Sequence, residues 1–179
     1  MVKKNGKNGI VQDYCYMNSR TIKNNYPLSL TLDLIDMVES KKMFIKLDLQ
    51  YEYNNMRIKK ENKWKAAFTM PMGSYKSTIM FFSLTNLLAI FQAMMNNILR
   101  EQINTGEVAS YINNVLVGTD AKEEHDKVVE EVLKKMEETD LYMKPEKYVW
   151  KSRRVNFLGV EFGLERVWME KEKITGIKD

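Results

Sequence analysis

Apolar and polar positions along the chain alternate with two different periods. Leu32, Ile35 and Val38 recur at helical spacing ahead of the charged stretch SKK, so a short helix is predicted over residues 30–39. KMFIKLDLQ then reads as a strand, and WKAAFTM as another. In LTNLLAIFQAMMNNILREQ, Leu84, Leu88, Phe91, Met95, Ile98 and Leu99 fall on one helical stripe, the pattern of a largely buried helix. VASYI and VLVGT flank two asparagines and read as hairpin partners, with Asn113 and Asn114 as the turn because asparagine tolerates positive φ.

An amphipathic helix follows in TDAKEEHDKVVEEVLKKMEETD. Asp120 and Glu123 are spaced as a capping box, Val128, Val132 and Met136 form the core face, and Glu130–Lys134 with Glu131–Lys135 support a solvated face. The tail breaks into short strands around Pro145, Gly159 and Gly163. Strands and helices alternate irregularly, which favours an α+β fold over a doubly wound parallel sheet.

Composition narrows the picture without deciding it. At 179 residues and 44% hydrophobic, the chain has the size of one domain with a real core, and it contains no repeat, low-complexity tract or Pro/Gly linker. Lys and Arg number 28 against 24 Asp and Glu, a mildly basic balance that is compatible with nucleic acid but does not demand it. Cys15 is the only cysteine, so an intrachain disulfide is excluded and a reducing compartment is expected. His125 is the only histidine, which excludes histidine-rich metal sites. No apolar run approaches a membrane span, so the chain is expected to be soluble and intracellular, cytoplasmic or nuclear, with no membrane partner. The methionines and aromatics around Ile90, Phe91, Met94 and Met95 are explained by the helical stripe and are assigned to the core, not to a base-stacking face.

DYCYMNSRTIKNNYPL, FIKLDLQYEYNNMRI, WKAAFTM, FSLTNLLAIFQAMMNNIL, YINNVLVGT and FLGVEFG, in this order and spacing, resemble the reverse transcriptase (RNA-directed DNA polymerase) domain of gypsy-type LTR retrotransposon Pol polyproteins. The resemblance covers nearly the whole chain. It implies a right-hand fold with a palm-like antiparallel sheet backed by helices and a partial fingers region. On that reading, fingers segments at about 1–47 and 54–85 interleave with palm, and 86–179 runs from palm to a primer-grip-like end at FLGVEFG. The family's thumb, ribonuclease H and integrase regions are expected to be absent.

The family's reaction is attack of a primer hydroxyl on a nucleoside triphosphate, assisted by two divalent metals that carboxylates must hold. Mg²⁺ takes anionic oxygens at close range, and neutral amides are poor substitutes. The resemblance makes Asp48, in KLDLQ, the surviving metal ligand. The positions of the family's paired aspartates are Asn113 and Asn114. A charge pair about 4 Å apart at an effective dielectric of about 20 is worth roughly 4 kcal/mol, so two lost anions remove several decades of rate. Negligible polymerase activity is expected, with Mg²⁺ required only by an active form and none bound tightly.

Other positions carry the resemblance less sharply. Tyr53 matches the aromatic beneath the incoming sugar, with an aromatic packed on the palm as the alternative; Glu52 puts an anion where the family has glycine. Phe82 is retained from a Pro-Phe-Gly segment that shapes the nucleotide pocket, whereas its flanking proline and glycine are Phe81 and Ser83. Gln92 resembles a helix residue near the template, or is a helix-surface glutamine. Lys147 matches a lysine near the leaving phosphate, or is a surface lysine. Gly9 stands where the family has a triphosphate-gripping arginine, and Leu88 replaces a helix-entry proline. Lys3, Lys4 and Lys7 read as a solvated terminus or as phosphate contacts.

Many of these departures are single C-to-T or G-to-A steps in the genetic code, the pattern that cytosine deamination leaves in a decaying element. The partners implied are an RNA or DNA template–primer, with dNTP as substrate only for an active enzyme. The competing expectations are a retained non-catalytic module that binds nucleic acid or protein, and weak residual polymerase activity resting on Asp48 alone.

Overall fold

The structure, a computed structural model, describes residues 12–50, 56–144, 149–163 and 166–169. In chain order its elements are α1 (Cys15–Arg20), α2 (Thr31–Val38), β1 (Met43–Asp48), a 3₁₀ helix (Lys60–Ala66), β2 (Ala67–Met70), β3 (Gly73–Lys76), α3 (Leu87–Ile98), α4 (Arg100–Asn104), β4 (Val108–Tyr111), β5 (Asn114–Thr119), α5 (Lys122–Glu138), β6 (Val149–Ser152), β7 (Val155–Phe157), β8 (Val160–Gly163) and β9 (Arg166–Met169). Every strand pairing among the described residues is antiparallel, so the fold is α+β as the alternation predicts. The chain divides into two compact units, one of Met1–Tyr26 with Tyr51–Phe91, the other of Pro27–Gln50 with Gln92–Asp179. Residues 27–47 fall in the same unit as the four-stranded sheet.

The larger unit is built on a sheet of order β4–β5–β1–β6. β1 is central and buries Phe44, Ile45 and Leu47, positions of both parities, which requires cover on both faces. α5 packs on β5 and β1 and buries Val128, Val132 and Met136 as its period predicts, together with His125 and Val129. Phe44 and Leu116 of the sheet form a second cluster with Leu34, Ile35 and Val38 of α2 and with Phe157 and Phe162 of the β7–β8–β9 sheet. α4 is tied to α5 by Lys135, whose ammonium donates to Glu101 Oε2 at 2.6 Å and to Gln102 Oε1 at 3.1 Å. That hydrogen bond and the attached charge hold the Glu101 carboxyl below its ordinary pKa.

The smaller unit joins the β2–β3 hairpin to α1. Tyr14, Ala66 and Leu84 form its core, with Met17, Ile58, Met80 and Phe81 packed against them, and the Tyr14 hydroxyl donates to the Ala66 carbonyl at 3.1 Å. Asn18 bonds both the Ser83 carbonyl and the Thr85 amide, and Asn86 bonds the Asn24 amide and the Ile22 carbonyl, so side-chain amides lace residues 18–24 to 83–86. No helix among the described residues is long and apolar enough to cross a membrane.

Several local expectations are corrected. In α2 the inward positions are Leu34, Ile35 and Val38, while Leu32 is 70% exposed. The phase of a helix that starts at Thr31 turns Leu32 away from the sheet. In α3 the buried row is Leu87, Phe91 and Met95, continuing to Leu99 one turn on, every fourth residue; Leu88 is exposed and Leu84 precedes the helix. The capping box does not form. Ala121 is the N-cap, without a side-chain cap, and Asp120 pairs with Lys41 at 3.0 Å. WKAAFTM is a strand only from Ala67, because Trp64 to Ala66 close the 3₁₀ helix.

Gly118 faces Phe44 across the β1–β5 ladder, and a Cβ built there lies 3.1 Å from Lys41 Cγ and 3.4 Å from Phe44 Cε1. Gly118→Ala is expected to lower stability by about 1 kcal/mol through overpacking, measured by urea unfolding; an unchanged midpoint would show that Lys41 yields freely.

Candidate active site

The β1–β5 ladder brings the predicted metal ligand to the predicted disabled pair. Asp48, the last residue of β1, is paired with Asn114, the first of β5, and the ladder continues as the Leu49 amide donates to the Asn113 carbonyl at 2.9 Å. Directly paired residues of an antiparallel ladder share a face, with β-carbons about 5 Å apart. Asp48 and Asn114 are thus near neighbours, and Asn113 lies beside them at the hairpin tip. The Asn114 amide donates to Asn113 Oδ1 at 3.0 Å, so the tip amides bond one another.

The turn itself is not Asn113–Asn114. Tyr111 pairs with Asn114, which leaves Ile112 and Asn113 as the two turn residues, and Ile112 takes φ 52°. A β-branched residue in the left-handed region costs on the order of 1–3 kcal/mol and persists only where its surroundings fix it. Gln92 supplies that restraint. It is fully buried on α3, its Oε1 accepts from the Ile112 amide at 2.6 Å, and its Nε2 donates to the Ser110 carbonyl at 3.0 Å and to Asn96 Oδ1 at 2.8 Å. The helix-surface alternative for Gln92 is therefore excluded, and its amide is committed to the hairpin backbone.

Ser110, between those anchors, has a buried hydroxyl with no hydrogen-bond partner among the described residues. Ser110→Ala is expected to raise stability by about 1 kcal/mol, since it removes an unsatisfied polar atom at little cost in volume. A lower thermal midpoint for the variant would show that the hydroxyl is satisfied.

Asp48 is nearly buried, and Oδ1 accepts from the Lys144 ammonium at 2.7 Å. No local pattern in LYMKPEK marks Lys144, which lies three residues before the predicted Lys147. Phe82, expected at the nucleotide pocket, belongs to the smaller unit and is 74% exposed. Ser83 donates its hydroxyl to the Gln12 carbonyl at 2.9 Å. Tyr53, Lys147, Glu52, Gly9 and the amino-terminal lysines lie outside the described residues.

The donor set does not fit a two-metal centre. One carboxylate, already ion-paired, faces two amides, and no group of three or more His, Cys, Asp or Glu residues that could hold a metal ion occurs among the described residues.

Residues 3–162 match the family model described as "Reverse transcriptase (RNA-dependent DNA polymerase)". The chain belongs to the reverse transcriptase family. Similar proteins include the Tf2-7 and Tf2-3 transposon polyproteins of Schizosaccharomyces pombe, 32% and 31% identical over 157 residues. Those alignments cover 88% of this reverse transcriptase-like chain and 12% of each polyprotein. The fold is also similar to that of part of the foamy viral protease–reverse transcriptase. A structure in complex with double-stranded DNA gives TM-score 0.88 at 22% identity, covering 99% of this chain and 31% of that one. A structure in complex with an RNA/DNA hybrid gives 0.83 at 22% identity, covering 94% and 23%. The motif-based resemblance to retrotransposon reverse transcriptases is upheld by the family model and by the Tf2 polyproteins.

Proposed function

We propose that this chain is a non-catalytic reverse-transcriptase palm that engages a template–primer without extending it. The observation that carries the reading is the hairpin tip: Asn113 and Asn114, not carboxylates, stand beside Asp48 on the β1–β5 ladder. Two divalent ions need anions on both sides of the cleft, and a single carboxylate leaves the attacking and leaving oxygens without their shared clamp. Nucleic acid is the partner favoured by kinship, since the foamy viral relatives hold double-stranded DNA and an RNA/DNA hybrid on the same fold. The run of deamination-type departures at Asn113, Asn114, Ser83 and Leu88 supports decay of a once-active copy.

Primer extension tests the reading. With Mg²⁺ or Mn²⁺, an annealed template–primer and all four dNTPs, the unaltered chain is expected to add no nucleotide, while fluorescence anisotropy shows it binding the same duplex. Clear extension by the unaltered chain would refute the reading, as would failure to bind the duplex at low salt.

A further inference from the structure

The segment after α5 runs back along the end of β1. The Gln50 amide donates to the Tyr142 carbonyl at 2.7 Å, Leu49 and Met143 form an antiparallel bridge, and the Lys144 amide donates to the Asp48 carbonyl at 2.9 Å. These contacts fix the Lys144 backbone beside Asp48, so its side chain reaches the carboxylate without having to search for it. Nζ then donates to Asp48 Oδ1 at 2.7 Å and to the Leu49 carbonyl at 3.1 Å, and the side chains are only 26% and 12% exposed. A cation carried on a pre-positioned backbone competes at high effective concentration with any ion from solution.

We propose that the Lys144 ammonium is the built-in counter-ion of this cleft, paired with Asp48 where a divalent ion would otherwise be drawn, so that the palm excludes metal with its own chain. This deepens the non-catalytic reading and rests on it. It also has a separate consequence: placing two carboxylates at the hairpin tip is not sufficient to build a metal site while Lys144 remains. The ammonium repels an incoming divalent ion and holds one of the oxygens that ion needs.

Mn²⁺ titration followed by proton relaxation enhancement tests the proposal on the full chain. The Asn113→Asp/Asn114→Asp chain is compared with the same chain carrying Lys144→Met, and then Asp48→Asn as well. Lys144→Met is expected to tighten Mn²⁺ binding about tenfold or more, the effect of removing one unit charge at contact distance. Asp48→Asn is expected to abolish that gain. Equal affinity with and without Lys144→Met overturns the proposal, as does a gain that survives Asp48→Asn.

A measurement on the unaltered chain guards against a variant that does not fold. The ¹⁵Nζ resonance of Lys144 is expected to stay sharp as Mn²⁺ rises to millimolar levels. Paramagnetic broadening would place metal beside Asp48 with the ammonium still there, and would overturn the proposal. Primer extension by the unaltered chain would sink the functional reading however the titration came out, whereas equal Mn²⁺ affinities would sink the counter-ion alone.

Discussion

Gln92→Leu is expected to destabilise the chain by about 3 kcal/mol, read from urea unfolding with the slope unchanged. Gln92 is buried, and each polar atom of its amide has a partner: Ile112 N, Ser110 O and Asn96 Oδ1. Leucine fills nearly the same volume and satisfies none of them. The Ile112 amide and Ser110 carbonyl are then left without the side chain that bonds them, at about 1–3 kcal/mol for each buried group. The loss falls where it does most damage, because Ile112 is held at φ 52° against its own preference. Total stabilities of about 5–15 kcal/mol leave little reserve for such a change. Gln92→Glu keeps the acceptor toward Ile112 but sets a buried carboxylate against the Ser110 carbonyl and Asn96 Oδ1, so its cost is expected to be at least as large. A Gln92→Leu chain as stable as the unaltered one would show that the hairpin holds its own turn.

Lys144→Met is expected to cost about 2 kcal/mol, because a nearly buried Asp48 carboxylate loses its ammonium. Partial exposure of both side chains places this below the loss seen for fully buried pairs. Asp48→Asn in the same chain is expected to recover at least half of the cost, since the neutral amide no longer needs a counter-charge. The coupling from the double-mutant cycle is the quantity to measure by thermal and urea unfolding. Additive losses would show that the 2.7 Å contact carries no specific energy.

Much of this arrangement was legible in the chain. LDL and VASYINNVLVGT predicted a strand and a hairpin, and those two elements alone bring Asp48 beside Asn114. The amphipathic period of α5 named three of its buried residues. What stayed hidden depended on phase and on distant partners. A period of 3.6 residues cannot fix whether Leu87 or Leu88 faces inward once the helix start is off by a residue or two. Turn chemistry pointed to Asn113–Asn114, yet the strand register places Ile112 in the turn, and Gln92, 20 positions away in sequence, is the side chain that holds it there. Asp120 offered a capping box and was claimed by Lys41, 79 residues away. Lys144 had no local signal at all, because its meaning comes from a backbone pairing with β1 that closes over 96 residues.

The most direct measurement counts divalent ions in the unaltered chain when template–primer and a non-hydrolysable dNTP analogue are both present, using Mn²⁺ electron paramagnetic resonance. No Mn²⁺ beyond that carried by the nucleotide itself is expected to be held at micromolar affinity. Two ions held tightly, with the dipolar coupling of a close pair, would contradict an amide tip that cannot seat them.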